Sequence, residues 1–122
     1  MKVEISNGDL VDKYVILDIK LKKINKAESL IKIRKEYCIL KPLVDGLNIR
    51  ESLIVDLKFL NLRMWDVEDR IREKERIQEF DEEFISLARS VYKNNDNRFL
   101  IKKKINQETF SEIEEQKSHK EI

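Results

Sequence analysis

Asp66, Asp69 and Glu73 fall at i, i+3 and i+7 in the run MWDVEDRIREKE, so a helix there holds all three carboxylates on one face. Carboxylates so placed could hold magnesium, a hard cation that takes oxygen ligands. Arg63, Arg70, Arg72 and Arg76 interleave with these acids at i,i+3 and i,i+4 spacings. A salt-bridged, solvated face is the simpler reading of that mixture. Asp66, Asp69 and Glu73 therefore stand as weak metal candidates, and the residues call for no cofactor.

A second constellation lies in ARSVYKNNDNRFLIKKKIN, residues 88–106, whose two ends read as one amphipathic helix around a polar centre. The apolar stripe begins Phe84, Ala88 and Val91, and the same spacing carries it to Asn95, Arg98, Lys102 and Ile105. An unbroken helix thus sets Asn95 and Arg98 where apolar residues belong, with Asp96 beside them. A polar group buried without a partner costs about 1–3 kcal/mol, so such residues need partners. Asp12, on the face of Ile16 and Ile19, is available for this, as are Glu68 and Arg72 on the face of Trp65. The spacing reads first as a polar layer through a helical bundle, of the kind that specifies register. Two alternatives stand beside it: a pocket for a small anion or phosphate around Arg72 and Arg98, and a plain loop at NNDN.

Other chemistry has less behind it. His119, the one histidine, lies in the polar C-terminal stretch, which reads as frayed and so argues against histidine-centred acid–base or metal chemistry. No glycine-rich phosphate loop or cysteine pair occurs. Cys38, beside Tyr37 on an apolar helix, reads as a packed thiol rather than a nucleophile. IKKKIN carries lysines without an aromatic stacking set, which suits a solvated helix face better than nucleic acid.

These residues need helices to position them. Two glycines and one proline in 122 residues are too few for a β-rich chain, and 40% charged with 41% hydrophobic residues is the profile of long helices. Helix starts read at Ser6 with Asp9, Asn25 with Glu28, Asn48 with Glu51, and Asp81 with its following acids. Ile5 and Phe80 are placed to staple onto Leu10 and Ile85. Apolar stripes of 3-4 spacing follow: Leu10, Tyr14, Leu17, Leu21, Ile24; then Leu30, Ile33, Tyr37, Leu40, Val44; then Leu53, Leu57, Leu60, Met64, Val67, Ile71. YVILDIKLKK also alternates like a strand, but its helical stripe continues across the whole segment. Residues 107–122 hold five acidic and two basic side chains without apolar periodicity, which reads as a flexible acidic tail.

VEISNGDLVDK at 3–13, WDVEDRIR at 65–72 and LARSVYKNNDNR at 87–98 resemble an uncharacterised family of small bacterial and phage proteins. That family carries an EIS-x-GEL-x-DK start and a LAR-x-VY-x-x-ND-x-R motif. The resemblance brings no established activity. It does imply emphasis on Glu4, Ser6, Gly8, Asp12, Lys13, Trp65, Glu68, Asp69, Arg72, Arg89, Tyr92, Asn95, Asp96 and Arg98. Asp9 departs from the family's glutamate, and Phe99 stands where a small residue is common.

The expected architecture is all-α: antiparallel helical hairpins, about four helices with coiled-coil-like packing, and a short extended N-terminal arm. Residues 1–107 form one helical domain and 108–122 the tail. The net charge of +1 argues against a general nucleic-acid binder, and no apolar run is long enough for a membrane span. The expected function is a non-enzymatic, cytoplasmic interaction or scaffold protein, a homodimer paired through its stripes and open to a protein partner. The alternative is a small all-α enzyme or ligand-binding protein, metal-assisted or not. Its site would be the polar seam of Asp12, Glu68, Arg72, Asn95, Asp96 and Arg98, taking an anionic or phosphorylated molecule. A weak nucleic-acid binder ranks third.

Overall fold

Ser6 begins the first helix as its spacing predicts: its Oγ accepts the Asp9 N–H at 3.0 Å. Asp81 does the same for the last helix, accepting the Phe84 N–H at 2.9 Å. The computed structural model describes residues 1–119 and consists there of α1 (Asn7–Lys23), α2 (Ala27–Asp45), α3 (Glu51–Ile77) and α4 (Glu82–Glu108). Residues 1–5 precede Ser6 as an exposed arm without secondary structure. Lys120, Glu121 and Ile122 of the expected tail lie outside the described residues.

The two inner starts differ from the expected caps. α2 follows Lys26 and α3 follows Arg50, neither of which makes a side-chain cap bond. Asn48 instead takes a left-handed turn, φ 53°, in the α2–α3 connection, a conformation asparagine tolerates better than most residues. Phe80 packs edge-on against Phe84 at 5.2 Å and leaves Ile85 half-exposed. The α3–α4 turn is held by Lys74, which pairs with Glu79 at 3.0 Å and Asp81 at 2.7 Å. Lys74 and the Phe84 N–H together hold the Asp81 carboxyl down to about 2.

α1 is the hub. α2 packs against α1 alone, whereas α3 and α4 pack against α1 and against each other. Val11, Val15, Ile19, Val44, Leu53, Leu57 and Ile105 form the buried core, with Leu10, Tyr14, Leu47, Ile49, Trp65 and Ile101 packed at its edge. A helix covered on several sides buries apolar residues beyond a single stripe. That is why YVILDIKLKK alternates like a strand yet folds as a helix: Val15, Leu17 and Ile19 are all buried in α1. Tyr14 stacks on Tyr37 of α2 at 4.9 Å, with their hydroxyls 3.0 Å apart. Burial, and then the Tyr37 hydroxyl, push the Tyr14 phenol upward.

Cys38 is exposed, contrary to the expected packed thiol. It follows Tyr37 by one residue, and a step of about 100° turns it off the inner stripe. α4 is continuous through Asn94, Asn95, Asp96 and Asn97, so the loop reading of NNDN falls.

Candidate functional site

The polar layer forms around Asp12, which is 4% exposed on α1. Arg98 of α4 grips it from one side: Nε lies 3.0 Å from each carboxylate oxygen, and Nη2 closes on Oδ2. Asn61 of α3 completes the set, donating from Nδ2 to Asp12 Oδ1 at 2.9 Å and to the Leu57 carbonyl at 3.0 Å. A fork-shaped guanidinium on a carboxylate is among the strongest and most directional protein contacts. One more turn along α4, Lys102 reaches Asp9 at 2.6 Å and Asp12 at 3.9 Å. Partial burial works against the Asp9 charge, yet the Lys102 ammonium more than offsets it and holds that carboxyl below its ordinary value.

Beyond Lys102, Asn106 Oδ1 accepts the Gly8 N–H at 2.6 Å. Asn7 ties down the chain after α4: its Nδ2 donates to Thr109 Oγ1 at 2.9 Å and its N–H to Ser111 Oγ at 3.0 Å. Arg98, Lys102 and Asn106 are spaced four apart, so they form one ridge of α4 that meets Asp12, Asp9 and Gly8 as the antiparallel α1 descends. A polar ridge of α4 thus meets the first turns of α1, while Ile101 and Ile105 bring α4 into the apolar core that α1 shares with α3.

Of the expected seam residues, Asp12 and Arg98 meet. Glu68 and Arg72 pair with each other at 3.4 Å on the surface and line a groove beside Arg98. That groove, of about 470 Å³, has Ile16, Ile19, Met64 and Trp65 among its walls. Asn95 and Asp96 are exposed, a correction to the buried position expected for Asn95. A 3-4 seam through Phe84, Val91, Arg98 and Ile105 can be threaded in two phases. The inward one runs through Leu87, Asn94 and Ile101, not Ala88 and Asn95, while Lys102 turns in against α1. The larger apolar side chains Leu87 and Ile101 decide between them.

Asn94 is therefore the buried asparagine, 5% exposed, and its Nδ2 has no hydrogen-bond partner among the described residues. Asn94→Leu should raise stability by about 1–2 kcal/mol, by removing an unpaired buried donor and adding apolar contact. Urea denaturation reads it directly; a loss of stability would mean that the amide carries an interaction worth keeping.

The three weak metal candidates do not gather. Asp66 faces Lys23 at 3.8 Å, Glu73 pairs with Arg76 at 2.6 Å, and Asp69 lines the groove. Among the described residues no group of three or more metal-ligating side chains comes together.

A model of the family of unknown function DUF6165 matches residues 1–121. The chain belongs to that family. The family-level resemblance carried by the three sequence motifs thus extends over nearly the whole chain. Neither the curated proteins nor the solved structures hold a match to it.

In this DUF6165 protein, spacing alone missed Asn61, Asn106 and Asn94, and it put Lys102 on the stripe without naming a partner for it. Asn61 had a signal, as the one uncharged polar residue in LKFLNLRMW. Asn106 was legible only as the continuation of the ridge that Arg98 and Lys102 begin. Chemically, the Asp12 layer is closed: each of its oxygens already has a protein donor, which suits holding helices in register. No helix of the described residues is long and apolar enough to cross a membrane.

Proposed function

We propose that this protein is a helical interaction module that works in the cytoplasm without catalysis and pairs with a second copy of itself through α2. One observation carries the reading. Of the nineteen residues of α2, Val44 alone is buried, and among the described residues the helix has α1 as its sole helical neighbour. Its inner stripe of Leu30, Ile33, Tyr37 and Leu40 faces α1. A second stripe on the opposite side carries Ile31 at 66% exposure, Ile39 at 57% and Leu43 at 54%. A helix that is apolar on two sides has room for a second neighbour.

A second copy suits that side for three reasons. Ile31, Ile39 and Leu43 lie eight and then four residues apart, so they share one side of the helix and can lie against the same side of a like helix. Lys32, Arg34, Lys35 and Lys41 lie among Glu28, Glu36 and Asp45 along the helix, so a symmetric pairing meets both signs. The net charge of +1 sets up no repulsion between copies. Two α1–α2 hairpins joined this way make a four-helix bundle in which both faces of α2 are covered. A stable interface needs about 800 Å² per partner, so the stems of Lys32 and Lys35 join the apolar residues in it.

Light scattering at tens of micromolar should give twice the 14.7 kDa chain mass, and Ile39→Glu with Leu43→Glu should halve it without loss of helix. A wild-type monomer under those conditions would end the proposal. The exposed Cys38 supplies a second readout, since mild oxidation should cross-link wild-type dimers faster than the double variant.

A further inference from the structure

After α4 the chain turns back on itself. Phe110 takes a left-handed φ of 53°, and the Ser111 N–H closes on the Asn106 carbonyl at 2.9 Å, a Schellman-type turn. The following residues run back along α4. Lys117 lies over the Phe99 ring at 5.8 Å, and Glu115 reaches Lys102 at 3.7 Å and Lys117 at 3.2 Å. Between this strap and α4 is a pocket of about 220 Å³ lined by Asn95, Arg98, Phe99, Lys102, Glu115 and Lys117. Three cations and one carboxylate line it.

We propose that this pocket binds a small oxyanion, the phosphoryl or carboxylate group of a metabolite, and that Glu115 occupies it when none is present. The cations are built in rather than incidental. Lys102 is only 11% exposed, with Asp9 fixing its ammonium from the far side at 2.6 Å. Asp12 takes the Nε and Nη2 edge of Arg98, so the guanidinium is held in one orientation beside the pocket. Glu115 is held loosely by comparison. Charge-assisted hydrogen bonds run about 2.7–2.9 Å, and both of its contacts are longer. Its side chain can swing to solvent while the strap stays anchored by Ser111 on Asn7 and by Lys117 on Phe99. An entering oxyanion then meets Lys102 and Lys117, with the Asn95 amide and Arg98 at the wall. The closed Asp12 layer stays intact throughout, since the pocket opens on the other side of Lys102.

The test is a titration of the full chain with inorganic phosphate, followed by heteronuclear NMR at constant ionic strength with chloride as the exchanged ion. Saturable shifts should be confined to residues 95–102 and 111–117. Glu115→Gln should tighten the apparent Kd about fivefold, the weight of one competing exposed ion pair, and Lys117→Ala should weaken it by a similar factor. Both positions lie outside the helices, and thermal melts check that each variant is folded. Parallel titrations with acetate and sulfate separate a carboxylate preference from a tetrahedral-oxyanion preference, and either one supports the site. Phosphate shifts that fail to saturate in Glu115→Gln would overturn it, as would an affinity unmoved by that change.

Discussion

Asp12→Ala is expected to lose about 3 kcal/mol of folding stability, a melting temperature roughly 10 °C lower for a chain of this size. The loss comes from what is left behind. Arg98 remains at 27% side-chain exposure with no carboxylate to face, and Asn61 keeps only its bond to the Leu57 carbonyl. Dismantled buried pairs commonly cost about 3–5 kcal/mol, and the partial exposure of Arg98 places this one at the lower end. A double variant separates a lost attraction from a stranded charge. Asp12→Leu combined with Arg98→Leu should cost less than Asp12→Ala alone, because neither charge is then stranded. Urea denaturation of the three proteins decides it. A cost below about 1 kcal/mol for Asp12→Ala would mean that the layer orders the helices without holding them.

Gly8→Ala should cost about 2 kcal/mol through overpacking. A Cβ at Gly8 would sit 2.7 Å from the Lys102 carbonyl oxygen, 3.0 Å from Asn106 Oδ1 and 3.1 Å from Lys102 Cβ. The nearest atom belongs to helix backbone, which yields only if the last turns of α4 move away from α1. That movement also stretches the bond from the Gly8 N–H to Asn106. Gly46→Ala is the matched control: its Cβ would meet nothing closer than 3.4 Å, and its φ of −67° suits any residue. Thermal melts of the two variants should therefore part by several degrees. Equal melts would show that the α1–α4 approach has slack.

The helices were legible because their signals are local. The stripes on α2 and α3 and the caps at Ser6 and Asp81 rest on residues within a few turns of each other. What spacing could not supply was the phase of a seam that both Asn94 and Asn95 can join. That is settled by Leu87 and Ile101 finding their places against α3 and α1, which is tertiary information. Cys38 failed for a related reason: a helix that touches one neighbour has a dry side and a wet side, and the stripe alone does not say how narrow the dry side is. Arg98 and Asp12 were found as separate oddities, each a charge on an apolar face. Their meeting was legible only as the general rule that buried charges are paired.

The seam from Asn7 to Asp12 has consequences for the order of events in biosynthesis. The polar partners that α1 finds in α4 and the turn after it lie between residues 98 and 111, some 86 to 104 positions later in the chain, with Asn61 on Asp12 nearer. The α1–α2 hairpin can form early from neighbouring residues, but it meets the ribosome's surroundings with Asp9 and Asp12 still hydrated and the Gly8 notch empty. Long-range closure of this kind is slow, because the loop entropy is spent before the contacts form. The α3–α4 hairpin, emerging last, therefore arrives as the clasp. The first helix to be made is the last to be locked, and a nascent chain stalled before Arg98 would be helical without being folded.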